Sequence, residues 1–160
     1  MAEHDLSDPW PLREGSVKVA VLLDVLEHMT DPVQVLTNVA AVLEPGGGII
    51  LTVPAYPWLF GEWDESLGHF RRYTRNALIK QATATQLNVE WLSHWNSFSL
   101  PAAIAVRGYQ RTAPGDRTPT FPRVPPLMNR MLVTMAGYER KWLSNRKAPF
   151  GLSLVGVLRK

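Results

Sequence analysis

Continuous apolar runs alternate with apolar residues at helical spacing along the first third of the chain. The run VKVAVLLD (17–24) is rich in β-branched residues, which predicts a strand buried on both faces. Asp31 followed by Pro32 is typical of a helix N-cap with proline at the first helical position. EPGGG (44–48) is expected to end this helix, and IILTVP (49–54) predicts a second buried strand. Strand, helix and strand in this order predict a parallel crossover unit.

The remaining residues predict three further helices and two further strands. Thr74 is expected to open a helix, and the alternating segment 88–96 predicts a strand. A helix over 97–111, an irregular segment with five prolines over 112–126, a helix over 127–145 and a strand over 150–160 follow. No crossover pattern separates the last two strands, so they are expected to pair antiparallel at a sheet edge.

Length and composition predict one globular domain over all 160 residues, with a helical and proline-rich insertion over 97–147. The apolar share of 46% and the charged share of 19% suit a protein with a substantial core. The absence of cysteine excludes disulfides and thiolate metal sites. The acidic, polar N-terminus is unlike a secretory signal, and a cytoplasmic location is expected.

Charge is divided unevenly along the chain. Residues 1–68 carry eleven acids and two bases, a net charge of −9, whereas residues 69–160 carry fifteen bases and three acids, a net charge of +12. The basic part could face an anionic ligand, a lipid surface or a nucleic acid, or the two parts could simply attract each other. No nucleic-acid motif accompanies the arginines, so no nucleic-acid partner is expected.

Two segments of the sequence resemble a known protein family. DVLEHMTDP and VLEPGGGIILTVPA (24–32 and 42–55) resemble the second half of class I S-adenosylmethionine-dependent methyltransferases. The resemblance implies an α/β fold: the C-terminal part of a Rossmann-like methyltransferase sheet, with parallel strands, an antiparallel terminal strand and a helical insertion. It also implies S-adenosyl-L-methionine as the cofactor and an unidentified molecule as the methyl acceptor.

The glycine-rich loop that cradles the cofactor in this family has no counterpart here. The family's E/D-x-G-x-G pattern and the acid that holds the ribose are both missing from the sequence. The chain therefore resembles the latter two-thirds of the family, and cofactor binding is expected to require an N-terminal half that this chain lacks.

The resemblance also implies two sets of cofactor-binding residues. Asp5 and Leu6 match the position of the pair that contacts adenine, although a free, flexible terminus is the alternative. The turn from Leu23 to His28 would line the methionine and methyl end of the cofactor, with Asp24 and Glu27 as its acids. The alternative for that turn is a capping role with a structural histidine. Ligands bind at the carboxyl ends of strands in open α/β sheets, so the position is suitable.

Acceptor-side residues are expected in the loop after the second strand. His69 is the candidate general base, because an unperturbed histidine titrates near neutrality. Arg71 and Arg72 could clamp a carboxylate or phosphate. The candidate aromatic walls are Tyr56, Trp58 and Tyr73. The alternative is that these aromatic residues pack the loop and the arginines are solvated.

Three further expectations concern metals and partners. No H-x-x-x-H or paired-carboxylate pattern occurs, so no metal is predicted. The basic helix over 127–145 could contact an anionic membrane peripherally, or it could be a lid over the sheet. The strand at 19–23 would be an exposed edge without its N-terminal neighbours, which favours a homodimer, or a non-catalytic fragment or partner subunit, as the alternative function.

Overall fold

A computed structural model describes residues 5–112 and 124–160. Within these residues the four strands are β1 (Val17–Leu23), β2 (Leu43–Pro54), β3 (Asn88–Trp95) and β4 (Ser153–Arg159). The five α-helices described are α1 (Pro32–Val42), α2 (Glu62–Ser66), α3 (Arg75–Ala84), α4 (Leu100–Thr112) and α5 (Pro126–Leu143). The strands form one sheet in the order β1-β2-β4-β3.

The predicted parallel crossover is confirmed. β1 pairs parallel with β2 across α1. The Asp31 carboxylate caps α1, accepting hydrogen bonds from the amides of Val33 at 3.0 Å and Gln34 at 3.1 Å. The prediction that EPGGG ends the helix is wrong, because α1 ends at Val42 and the next residue, Leu43, is already extended and paired with Val17.

The left-handed glycine of this segment lies four residues beyond the end of α1. Gly46 has a φ of +80° and lies within β2, where the register with β1 is irregular. The glycines therefore shape the start of the strand, and strand pairing sets the end of the helix.

The expected antiparallel pairing of the last two strands is confirmed. β4 runs antiparallel to β3, from Asn88 opposite Arg159 to Trp95 opposite Ser153. β4 also pairs antiparallel with β2, so it lies inside the sheet and β3 occupies the edge.

β1 forms the opposite edge, and its burial differs from the prediction. Ala20 and Leu22 are buried, whereas Val19, Val21 and Leu23 are 53%, 57% and 57% exposed. The prediction of burial on both faces is wrong, because helices cover only one face of β1 in the described part of the chain.

The core lies between the sheet and helices α1 and α3. Its completely buried side chains include Leu36 and Val39 of α1, Leu51 of β2, Leu78 of α3 and Leu158 of β4. The inward-facing residues of the strands and one apolar stripe of each helix therefore pack together as a single core layer.

Helices α4 and α5 precede β4 and lie within the segment predicted as an insertion. α5 presents a stripe of exposed apolar side chains at helical spacing: Met128, Met131, Met135, Tyr138 and Trp142. Most of the predicted proline-rich segment lies outside the described residues. Among the helices that the structure describes, none is both long and apolar enough to cross a membrane.

Candidate functional site

The carboxyl ends of β1 and β2 open onto one side of the sheet. Asp24 follows β1 with a φ of +51°, and its amide donates to the Thr52 carbonyl oxygen at 3.1 Å. The Thr52 hydroxyl in turn donates to the Asp24 carboxylate at 3.1 Å. These bonds fix an exposed carboxylate at the end of a strand, where open α/β sheets bind ligands.

Glu27 lies in the short helical turn after β1 and is completely buried. Neither of its carboxyl oxygens has a hydrogen-bond partner within the described part of the chain. Burial raises the pKa of the Glu27 carboxyl to about 7, opposed by the residue's own backbone amide and by the Arg72 guanidinium, while the Asp24 carboxylate adds to the rise. A buried carboxyl without a partner is costly, so its position calls for a ligand or a proton.

The segment after α2 returns to this turn and brings His69 with it. Gly68 has a φ of +73°, a conformation that glycine adopts without strain, and it reverses the chain after α2. The Phe70 amide then donates to the Glu27 carbonyl oxygen at 2.8 Å. The rings of His69 and His28 meet edge to face with their centroids 4.6 Å apart.

Asp64, a residue that sequence analysis missed, organises the surroundings of His69. Its side chain is 1% exposed, and it accepts hydrogen bonds from Arg72 Nε and from an Arg107 Nη nitrogen, both at 2.8 Å. His69 Nδ1 lies 3.1 Å from the same carboxylate, and the Gly61 amide donates to it at 3.0 Å. No sequence signal marks this acid, because Arg107 approaches it from α4, forty-three positions away.

Two cavities of about 290 Å³ each meet at Arg72 and Leu152. The first is polar and includes Asp24, Glu27 and His69 in its lining. The second is apolar and lies between the 57–63 segment and α4. A larger apolar cavity of about 590 Å³ lies beside α5, away from these ionisable groups.

Three other cofactor-binding candidates lie outside the lining of the polar cavity. Leu23 is exposed at the end of β1. Asp5 and Leu6 lie beside α1, where the Asn38 side chain donates to the Leu6 carbonyl oxygen at 3.2 Å and Leu6 packs against the core. They are not among the residues that line the polar cavity.

The acceptor-side candidates fall into two environments. Tyr73 is buried, and its hydroxyl donates to the Leu26 carbonyl oxygen at 3.1 Å, while burial raises the pKa of this phenol. Arg71 donates to the Thr30 carbonyl oxygen at 2.9 Å. Tyr56 stacks on His94 with ring centroids 5.6 Å apart and also contacts Trp58, which is half exposed. Of the acceptor-side set, His69 and Arg72 line the polar cavity.

Comparison with known proteins identifies a family to which this chain is similar. A family model described as a methyltransferase domain matches residues 1–104. An uncharacterised 37.1 kDa protein of a transposon in Streptomyces fradiae is 36% identical over 70 residues, which are 44% of this chain and 20% of that protein.

Several solved structures share the fold. A candidate methyltransferase from Bacillus halodurans is 15% identical with a TM-score of 0.58, covering 99% of this chain and 70% of that one. A complex of the Haloferax volcanii Trm112 methyltransferase activator with a candidate methyltransferase gives 17% identity and a TM-score of 0.57, over 98% and 59%. Phosphoethanolamine N-methyltransferase 2 from Haemonchus contortus, in complex with S-adenosyl-L-methionine, gives 11% and 0.55, over 98% and 36%. The chain thus spans about a fifth of its curated relative and 59% of the Haloferax chain.

Proposed function

Because the chain belongs to the methyltransferase-domain family, we propose that it takes part in methyl transfer from S-adenosyl-L-methionine to an acceptor of unidentified chemistry. The observation that carries the proposal is the polar cavity at the carboxyl ends of β1 and β2, with Asp24, Glu27 and His69 in its lining. Ligands of open α/β sheets bind at this end.

The described residues suit one part of the cofactor. Asp24 and the buried, unpartnered Glu27 carboxyl offer acceptors for the positively charged methionine end, and exposed Leu23 offers an apolar contact. A cavity of about 290 Å³ is at the lower limit for a small-molecule pocket, so these residues would supply one wall of it. Our proposal is that further residues N-terminal to β1 supply the rest, and that Asp5 and Leu6 adjoin the adenine.

The reaction asks mainly for alignment and a proton acceptor. The bound cofactor would supply an electrophilic methyl carbon on a sulfonium sulfur. The Asp64 carboxylate beside His69 Nδ1 favours a proton on that nitrogen, which leaves Nε2 free to take the acceptor's proton. Arg72 is already paired with Asp64, so its proposed role is to hold this carboxylate in place.

The second cavity suits an apolar part of the acceptor. The second cavity is lined by Leu59, Trp63, Val106 and alanines of α4, and it meets the polar cavity at Arg72. An acceptor with a nucleophilic group at one end and an apolar body would span both cavities, with Tyr56 and Trp58 outside the lining of both.

Calorimetric titration of the purified chain with S-adenosyl-L-methionine and with its demethylated product tests the proposal. We expect binding that Asp24→Ala and His28→Ala weaken by about tenfold or more, while Glu90→Gln, in an exposed ion pair on β3, leaves it unchanged. Binding that survives both alanine variants would contradict the assigned wall. If the chain alone does not bind but a version extended N-terminally does, the missing-half proposal is supported; if neither binds, methyl transfer is rejected.

A second candidate function rests on the β1 edge. Its outer side has no strand partner among the described residues, and three apolar side chains of β1 are more than half exposed. Exposed edges pair readily with other strands. The alternative is therefore a non-catalytic partner subunit that pairs through β1 with a second copy of the chain.

A further inference from the structure

We propose that Glu27, His28 and His69 form a binding site for a divalent first-row transition-metal cation such as Zn²⁺ or Co²⁺. One potential ligand atom from each residue lies within 4.8 Å of the other two. Ligands of a bound zinc ion lie about 2.0–2.2 Å from the metal and hence about 3–3.5 Å apart. Binding would draw the three atoms together by about 1–2 Å, a distance that side-chain rotations cover.

The state of Glu27 is the independent observation that points to a ligand. The side chain is fully buried, and neither carboxyl oxygen has a partner within the described residues. Buried carboxylates are normally hydrogen-bonded, paired with a cation or bound to a metal. The imidazoles of His28 and His69 offer nitrogen atoms within 4.8 Å of the Glu27 carboxyl, which suits a shared cation.

Asp64 prepares His69 to act as a ligand. Its carboxylate lies 3.1 Å from His69 Nδ1, and the Asp64 carbonyl oxygen accepts the His69 amide at 2.8 Å. Metal-binding histidines commonly donate their second ring nitrogen to a carboxylate, which fixes the ring and its tautomer. In this arrangement Nε2 of His69 is left for the metal.

The local charge also favours a cation. The charged side chains whose fields reach Glu27 are the carboxylates of Asp24 and Asp64 and the guanidinium of Arg72. Arg72 and Arg107 both donate to the Asp64 carboxylate at 2.8 Å, so the negative potential beside Glu27 comes mainly from Asp24.

The donor set selects the kind of metal. Two imidazoles and one carboxylate suit Zn²⁺, Co²⁺ and Fe²⁺, whereas Mg²⁺ and Ca²⁺ prefer oxygen donors. Three protein ligands leave coordination positions open, and two of the three residues line the polar cavity. Coordination would use the lone pair of His69 that a general base needs. In the metal-loaded chain, a coordinated water would release its proton to the solvent more readily, and the resulting hydroxide would take the acceptor's proton in place of that base.

The spacing of these residues along the chain hides the site. Glu27 and His28 are adjacent, and His69 lies in a separate loop, so no metal motif is visible in the sequence. The prediction of no metal rested on that absence, and only the contact between the Leu26–His28 turn and the 68–70 segment brings the donors together.

Titration of the tag-free, EDTA-treated chain with Co²⁺, followed by visible absorption, tests the site. We expect one Co²⁺ per chain with a Kd of about 10 µM or tighter, displaced by Zn²⁺ and unaffected by excess Mg²⁺. Glu27→Gln, His28→Gln and His69→Gln should each weaken binding by about tenfold or more. His94→Gln is the matched control, because His94 is a partly buried histidine outside the cluster. The Co²⁺ affinity of this variant should equal that of the unchanged protein.

Absence of Co²⁺ binding up to about 1 mM, or unchanged affinity in all three variants, would overturn the proposal. If a variant fails to fold, X-ray absorption of the unchanged Co²⁺-loaded chain decides, since two imidazole ligands are expected and fewer would reject the site. These measurements contain no S-adenosyl-L-methionine, so their failure leaves the proposed methyl transfer untouched, and failure of cofactor binding leaves the metal result standing.

Discussion

Glu27 combines complete burial with an ionisable group that has no protein partner among the described residues. Its pKa is raised from 4.5 to about 7, so the metal-free folded chain holds a proton that the unfolded chain releases near pH 4.5. The stability linked to this proton is complete below pH 4.5 and is lost as the pH rises through about 7.

Glu27→Gln should therefore stabilise the metal-free protein at pH 8 and have little effect at pH 4. The expected gain at pH 8 is on the order of 1–3 kcal/mol, because the neutral amide avoids the buried charge. Urea unfolding at the two pH values measures it, with Glu90→Gln as the exposed control. Equal effects at both pH values would show that the raised pKa does not contribute to stability.

Asp64 is the opposite case, a buried acid with several partners. Asp64→Asn would leave Arg72 and Arg107 without their shared carboxylate, and breaking a buried pair costs about 3–5 kcal/mol. Urea unfolding of this variant should show a loss of that size.

The exposed pair between Glu90 and Arg159 provides the comparison for Asp64. Its side chains are about half exposed, so Glu90→Gln should cost less than about 1 kcal/mol despite the short contact of 2.6 Å. Similar losses in the two variants would argue against a structural role for the Asp64 cluster.

At the scale of elements, the sequence predicts a helix end correctly where residues close in the chain supply the capping hydrogen bonds. Asp31 and Pro32 predicted the start of α1, and the carboxylate caps the helix as expected. The end of α1 was mispredicted, because pairing of Leu43 with the distant residue Val17 sets it. Asp64 was missed for the same reason, since its burial depends on Arg107 of a later helix.

Two glycines show how differently one substitution acts in different elements. A Cβ atom at Gly151 would overlap the carbonyl oxygen of Trp95 and lie 2.8 Å from its backbone nitrogen. Backbone atoms cannot rotate away, so Gly151→Ala should destabilise the protein by about 2–3 kcal/mol.

Gly137 is the matched position for that comparison. It lies inside α5 with nothing within 4 Å of a Cβ atom, and its φ is not positive. Gly137→Ala should stabilise the protein by up to about 1 kcal/mol through helix propensity. Thermal unfolding of both variants gives the comparison, and a stable Gly151→Ala protein would mean that β3 and the 148–152 segment are packed less closely.

At the scale of the whole molecule, the exposed β1 edge governs self-association. If a second copy pairs through β1, the unchanged chain should sediment as a concentration-dependent dimer. Val21→Lys should shift it to monomer, because a lysine on an edge strand opposes pairing.

Val133→Lys is the matched control for this experiment. Val133 on α5 is 64% exposed, close to the 57% of Val21, but it lies on a helix. Sedimentation velocity should show that it leaves the dimer intact. A monomer at all concentrations, or an equal effect of both lysines, would reject pairing through β1.

The position of β4 has a consequence for how the protein forms in the cell. β4 follows every other described strand in sequence, yet it lies between β2 and β3 and joins them. During synthesis β3 therefore has no neighbour in the sheet until residues 153–159 have emerged from the ribosome. Until that moment the nascent chain exposes two strand edges that β4 later covers, and these are sites where a chaperone would bind or aggregation would begin.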